Sequence, residues 1–187
     1  MTELVFGTTN LAKLERISNI LKPSGYHVIG LKNFGTLPDI EENEATVLEN
    51  ARKKATHFAK LISRPVLSMD TSLYLEDIDS NDQPALFVRR LKPEGHSLTD
   101  DEMLAHYSNL FQKYGGKVIG RWHTAWVLAN PDGQTSEVLI KSPPRYFIDK
   151  PSPKIVPGLP IDSLQIDPEN GKYYSEMSPD ERDNVWG

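Results

Sequence analysis
Four groups of residues in this sequence have types and spacings suited to phosphate and divalent metal. Thr8-Thr9-Asn10 and Lys13 stand where an apolar run gives way to helical spacing. Backbone amides at a helix start attract phosphate, and a lysine one turn on adds charge to the same anion; the same residues also make an ordinary cap with a solvated lysine. Asp39, Glu41, Glu42 and Glu44 precede a second helical pattern. Such oxygen-rich loops suit Mg²⁺, and a helix dipole alone also stabilises acidic residues there. Lys53 and Lys54 follow Glu49-Asn50-Ala51-Arg52, with Lys54 bordering the apolar stripe; spacing alone favours a solvated or snorkelling lysine over one aimed at phosphate. Asp70 closes the apolar run Val66–Met69, where a carboxylate either holds a metal, takes a proton from water, or makes a turn.

The elements that must carry these residues read as an α/β pattern. Glu3–Thr8 is a buried strand, and Asn10 caps a helix with Leu11, Leu14, Ile17 and Leu21 on one face. Tyr26–Leu31 is a second strand. Thr46, with Glu49 three residues on, opens a helix whose core face is Val47, Ala51, Ala55, Phe58 and Ile62. Val66–Met69 is a strand with Asp70 at its C-terminal end, an edge where open α/β sheets bind ligands. Residues 85–91 are expected as a short helix, and Thr99 with Glu102 caps a longer one ending at Gly115-Gly116. From Lys117 the pattern is antiparallel: 118–129, a Pro131-Asp132-Gly133 turn, 136–141, then 146–148. Four prolines make 150–160 an extended loop, and Ser178-Pro179-Asp180-Glu181 reads as a helix start.

With 187 residues, 38% hydrophobic and no cysteine, the expectation is a single domain, 1–187, needing neither disulfides nor thiolate zinc. A formal charge of -5 argues against a general nucleic-acid binder. Met1–Gly7 lacks the basic flank and apolar run of a signal peptide, and no segment has the composition of a membrane span, so a cytoplasmic protein without membrane attachment is expected.

The order of these pieces resembles the inosine triphosphate pyrophosphatases, the Ham-type non-standard purine nucleoside triphosphate pyrophosphatases. The likeness rests on Phe6-Gly7-Thr8-Thr9-Asn10-Leu11-Ala12-Lys13, on Glu41-Glu42 ahead of Glu49-Asn50-Ala51-Arg52-Lys53-Lys54-Ala55, and on Met69-Asp70-Thr71-Ser72-Leu73. Weaker echoes run through Pro84–Arg90, Gly158–Asp162 and Gly171–Arg182. The resemblance implies an α/β fold, an elongated twisted mixed sheet flanked by helices, with two lobes and a central cleft. It implies Mg²⁺-dependent cleavage of a nucleoside triphosphate to monophosphate and pyrophosphate, and a homodimer, for which the hairpin from Lys117 to Lys141 is a candidate surface. It assigns Glu41 and Asp70 to the metal, Asp70 also as base for the attacking water. Thr8, Asn10, Lys13, Lys54, Thr71, Arg89, Asp162 and Arg182 it assigns to substrate.

The chain departs from the family pattern at defined places. Met69 stands where a second carboxylate is usual, Ala85 where a glycine is, and Leu159-Pro160-Ile161 where the family has a glycine and purine-stacking aromatics. The sequence reaches Trp186-Gly187 without a Ser-His-Arg triplet. These departures leave two alternatives: a catalytically impaired nucleotide-binding or regulatory relative, or a pyrophosphatase with another nucleotide substrate. Trp122, His123 and Trp126 alternate along one strand as core or interface aromatics do.

Overall fold
The computed structural model describes residues 1–91, 96–178 and 181–182. Seven strands form one mixed sheet: β1 (Thr2–Phe6), β2 (Tyr26–Gly30), β3 (Val66–Leu75), β4 (Lys117–Ala129), β5 (Thr135–Lys141), β6 (Arg145–Ile148) and β7 (Gln165–Ile166). Their order is β2-β1-β3-β4-β6-β7, with β5 paired to β4. β1 runs parallel to β2 and β3, whereas β6 is antiparallel to β4 and β7. Among the described residues the α-helices named with them are α1 (Leu11–Leu21), α2 (Val47–Ile62) and α3 (Asp100–Lys113). The chain packs as two compact units, 1–71 with 124–140 and 72–123 with 141–187.

In the first unit, side-chain alternation along β3 decides which helix meets which residue. Leu67 and Met69 pack with Phe6, Ile17, Val28 and Trp126 beneath α1. The intervening Ser68 and Asp70 are turned to the other face, where α2 brings Lys54 to Asp70. Both helices start as their caps dictate. The Asn10 side chain accepts the Lys13 amide at 3.1 Å, and the Thr46 hydroxyl accepts the Glu49 amide at 3.2 Å.

In the second unit, α3 lays Met103, Leu104, Tyr107, Leu110 and Phe111 on a core with Leu73, Leu75, Val118, Phe147 and Leu164. Its Thr99–Glu102 capping box is complete. Gly120 is required on β4: a Cβ there would meet Leu75 Cδ2 at 2.8 Å and the Tyr74 carbonyl at 3.0 Å.

Two expectations from the sequence are corrected. Residues 85–91 form turns rather than a helix, because Ala85 and Leu91 take φ of 43° and 62° and the Ala85 carbonyl accepts the Leu73 amide as a sheet bridge. Strand β3 does not stop at Asp70 but continues to Leu75, since Leu73 and Leu75 extend its buried alternation into the second core. At the predicted C-terminal helix start, the Glu181 amide donates to Ser178 Oγ at 3.3 Å and the Ser178 amide to Glu181 Oε2 at 2.7 Å. Pro179, Asp180, Trp186 and Gly187 lie outside the described residues.

Candidate active site
Strand β1 ends at Phe6, and the next residue, Gly7, passes so close to β3 that a Cβ would lie 2.2 Å from Ser68 Oγ. A side chain here would have to displace the Ser68 hydroxyl, and the Gly7 amide bonds the Leu67 carbonyl at 2.7 Å. The chain then turns through Thr8, whose hydroxyl accepts the Asn10 amide at 3.1 Å, into the N-terminus of α1. Thr8, Asn10 and Lys13 thus sit on a strand-to-helix turn, the geometry in which backbone amides face an anion. Lys13 is near enough to Asp70 to favour its ionised form.

Lys54 is the centre of the arrangement, and it is not the solvated lysine that spacing alone favoured. It leaves α2 between the fully buried Ala51 and Ala55 and is itself 9% exposed. Its ammonium lies 2.7 Å from Glu42 Oε1 and 3.5 Å from Asp70 Oδ1, and donates to the Met69 carbonyl at 3.1 Å. Burial opposes the charge on Lys54, but Asp70 and then Glu42 outweigh it and hold the pKa above the usual lysine value. Asp70 is raised above the usual aspartate value, mainly by burial; Lys54 counters this, Glu42 adds to it, and Lys13 and the Thr71 amide oppose it.

The acidic loop is sewn to α2 by three residues of that helix. The buried Asn50 accepts the Glu44 amide at 3.1 Å, Lys53 pairs with Glu44 at 2.8 Å, and Lys54 takes Glu42. An extended chain sends successive side chains to opposite sides. Glu42 therefore faces Lys54, while Glu41 accepts a bond from Asn43 at 3.2 Å at the surface. Sequence reasoning singled out Glu41; the loop register that selects Glu42 is set by Asn50, a signal present in Glu49-Asn50-Ala51 but readable only once its side chain is known to cap the loop. Met69 contributes its carbonyl here, and its side chain packs beneath α1.

The first unit thus brings together Thr8, Asn10, Lys13, Glu42, Lys54, Asp70 and Thr71. Of the other sequence-predicted residues, Glu41 lies at the surface of the same unit, and Arg89, Asp162 and Arg182 belong to the second unit. Arg89 donates to the Leu98 carbonyl at 2.9 Å, the Gly158 carbonyl at 3.3 Å and Asp100 Oδ1 at 2.9 Å, tying a turn to the start of α3. Asp162 lies in a 3₁₀ turn, Pro160–Ser163, with its amide bonded to the Leu159 carbonyl at 3.2 Å. Arg182 sits over the Tyr174 ring at 5.4 Å. Among the described residues no group of three or more His, Cys, Asp or Glu is placed to hold a metal ion, and no helix is long and apolar enough to cross a membrane.

Residues 4–185 match the model of the Ham1 family. The chain is 27% identical over 186 residues to the dITP/XTP pyrophosphatase of Halalkalibacterium halodurans, covering 99% of this chain and 92% of that one. It is 29% identical over 184 residues to the dITP/XTP pyrophosphatase of an Exiguobacterium species, covering 96% and 88%. Among solved structures, a HAM1 protein from Coxiella burnetii superposes with a TM-score of 0.71 at 23% identity, covering 99% of this chain and 91% of that one, a likeness of fold.

Proposed function
The chain belongs to the Ham1 family, and from that premise we propose that it hydrolyses non-standard purine nucleoside triphosphates such as dITP and XTP to the monophosphate and pyrophosphate. The observation that carries this reading is the convergence of Glu42 and Asp70 on the buried Lys54 ammonium, beside the turn capped by Asn10. Two carboxylates that already share a cation are a fitting donor set for Mg²⁺, which takes one or two carboxylates and completes its shell with phosphate and water. Glu42 and Asp70 would hold it, and when bound it supplies charge neutralisation on the phosphates and fixes the attacking water.

The chain's own residues account for the remaining steps. The start of α1, with the Thr8 and Asn10 side chains and Lys13, binds and orients the phosphate chain. Lys54 offsets charge building on the pyrophosphate leaving group. Asp70 takes a proton from the water that attacks the α-phosphorus; the new P–O bond forms as the α–β bridging bond breaks, and pyrophosphate departs. The enzyme works as a cytoplasmic homodimer on free nucleotides and not on nucleic acid, in keeping with its net charge of -5.

The test is pyrophosphate release with Mg²⁺ from dITP, XTP, ITP and the standard triphosphates. Release from the non-standard purines in preference to ATP and GTP is expected. Tight binding of every triphosphate with none cleaved would replace hydrolysis with a binding role.

A further inference from the structure
We propose that the Lys54 ammonium is a tethered placeholder for the divalent ion: it fills the point where Glu42 and Asp70 converge, so that metal enters only together with a phosphate chain that receives the displaced lysine. The inference rests on the metal reading given above and adds an order of binding to it.

The argument begins with the contacts of Lys54. Its three oxygen partners, Glu42 Oε1, Asp70 Oδ1 and the Met69 carbonyl, come from a loop and a strand far apart in sequence. A carboxylate pair with a carbonyl is also a hard-cation ligand set. The ammonium and a divalent ion cannot share it, because at contact distance two cations repel by several kcal/mol even at an effective dielectric near ~20. Lys54 cannot simply swing into an apolar surround either, since a buried unpaired ammonium is costly. It leaves only toward another anion.

Local charge gives the same sign. Around Asp70 stand two carboxylates, Glu42 and Asp70, and two ammonium groups, Lys54 and Lys13. Adding a divalent ion alone would leave this group, of which Lys54 and Asp70 are buried, strongly positive, whereas adding it with a triphosphate would not. The loop does not need Lys54 to keep its shape, because Asn50 and Lys53 still fasten Glu44, two residues from Glu42. The carboxylates therefore stay in place when the lysine moves.

The test is direct binding of Mn²⁺ to the nucleotide-free protein, followed by its electron paramagnetic resonance and by calorimetry. Wild type should bind weakly at this site, and Lys54→Met should bind about tenfold or more tightly, within the usual range of coupling between sites. Lys54→Arg, which keeps the charge, should stay weak, and Lys54→Gln is a second neutral variant should the methionine fail to fold. Adding Glu42→Gln to the neutral variant should abolish the gain. Equal or weaker Mn²⁺ affinity in both neutral variants, with binding still lost on Glu42→Gln, overturns the placeholder and leaves the metal site standing. Binding indifferent to Glu42→Gln would instead remove the metal site itself.

Discussion
At the residue scale, function turns on groups one position apart with opposite fates. Met69 and Asp70 are neighbours, yet one side chain packs beneath α1 and the other faces Lys54. Asp70→Asn keeps the shape and removes the proton acceptor, so kcat is expected to fall by about 10²–10⁴ with KM little changed; retained turnover would move the base elsewhere. Glu41 and Glu42 give a sharper comparison. Glu42→Gln should raise the Mg²⁺ concentration needed for half-maximal activity at least about tenfold, comparable to the loss of a ligand's support, whereas Glu41→Gln should leave the requirement where it is. Protonation offers a test that needs no substrate. Burial raises the Asp70 pKa above its ordinary 3.8, so the native state holds this proton more tightly than the unfolded chain does. The sign follows: its contribution to stability is present at low pH and is lost as pH rises through the raised value. A ¹³C titration of the carboxyl should have its midpoint above 3.8, and a midpoint at or below it would refute the burial argument. The sequence made Asp70, Lys13 and Asn10 visible because strand ends and caps leave local patterns. It offered Glu42 only as one of four acidic residues before α2, because the choice among them depends on loop register, which no local pattern records.

At the element scale, what was readable follows the same division between local and long-range causes. The starts of α1, α2 and α3 each sit at the cap residue expected, since a capping side chain acts on amides two or three positions away. Residues 85–91 read as helical from composition but are drawn into turns by a bridge to Leu73 across the chain, a partner their own sequence does not reveal. β3 runs beyond the expected Val66–Met69 for a related reason: burial of Leu73 and Leu75 against α3 keeps the chain extended past Asp70, a contact outside the local pattern. The α3 cap is open to direct measurement, because its box is closed on both sides. The Thr99 hydroxyl accepts the Glu102 amide at 3.2 Å and Glu102 Oε2 accepts the Thr99 amide at 2.8 Å. Thr99→Ala should cost about 1 kcal/mol and lower Tm by about 2–4 °C for a chain of this size, without altering the Mg²⁺ requirement.

At the scale of the whole molecule, the unbalanced feature is β5. Every residue from Thr135 to Lys141 is exposed, including Val138, Leu139 and Ile140 at 50%, 45% and 47%, and among the described residues the strand pairs with β4 alone. Glu137 bonds Arg52 at 2.6 Å and 2.8 Å, so Glu137 and Leu139 lie toward α2 while Val138 and Ile140 project from the opposite face. An exposed apolar run on a strand edge is a template for pairing and is normally blunted by charge or proline; Glu137 and Lys141 flank Val138-Leu139-Ile140, but neither interrupts it. A two-fold dimer solves this most simply, because one patch then covers its own copy and no open-ended assembly follows. Wild type should sediment as a dimer at micromolar concentration. Val138→Lys with Ile140→Lys should yield a folded monomer, since charge on both positions of that face opposes its burial. A wild type that stays monomeric across the concentration range, or a double variant that still dimerises, would exclude this face of β5 as the interface.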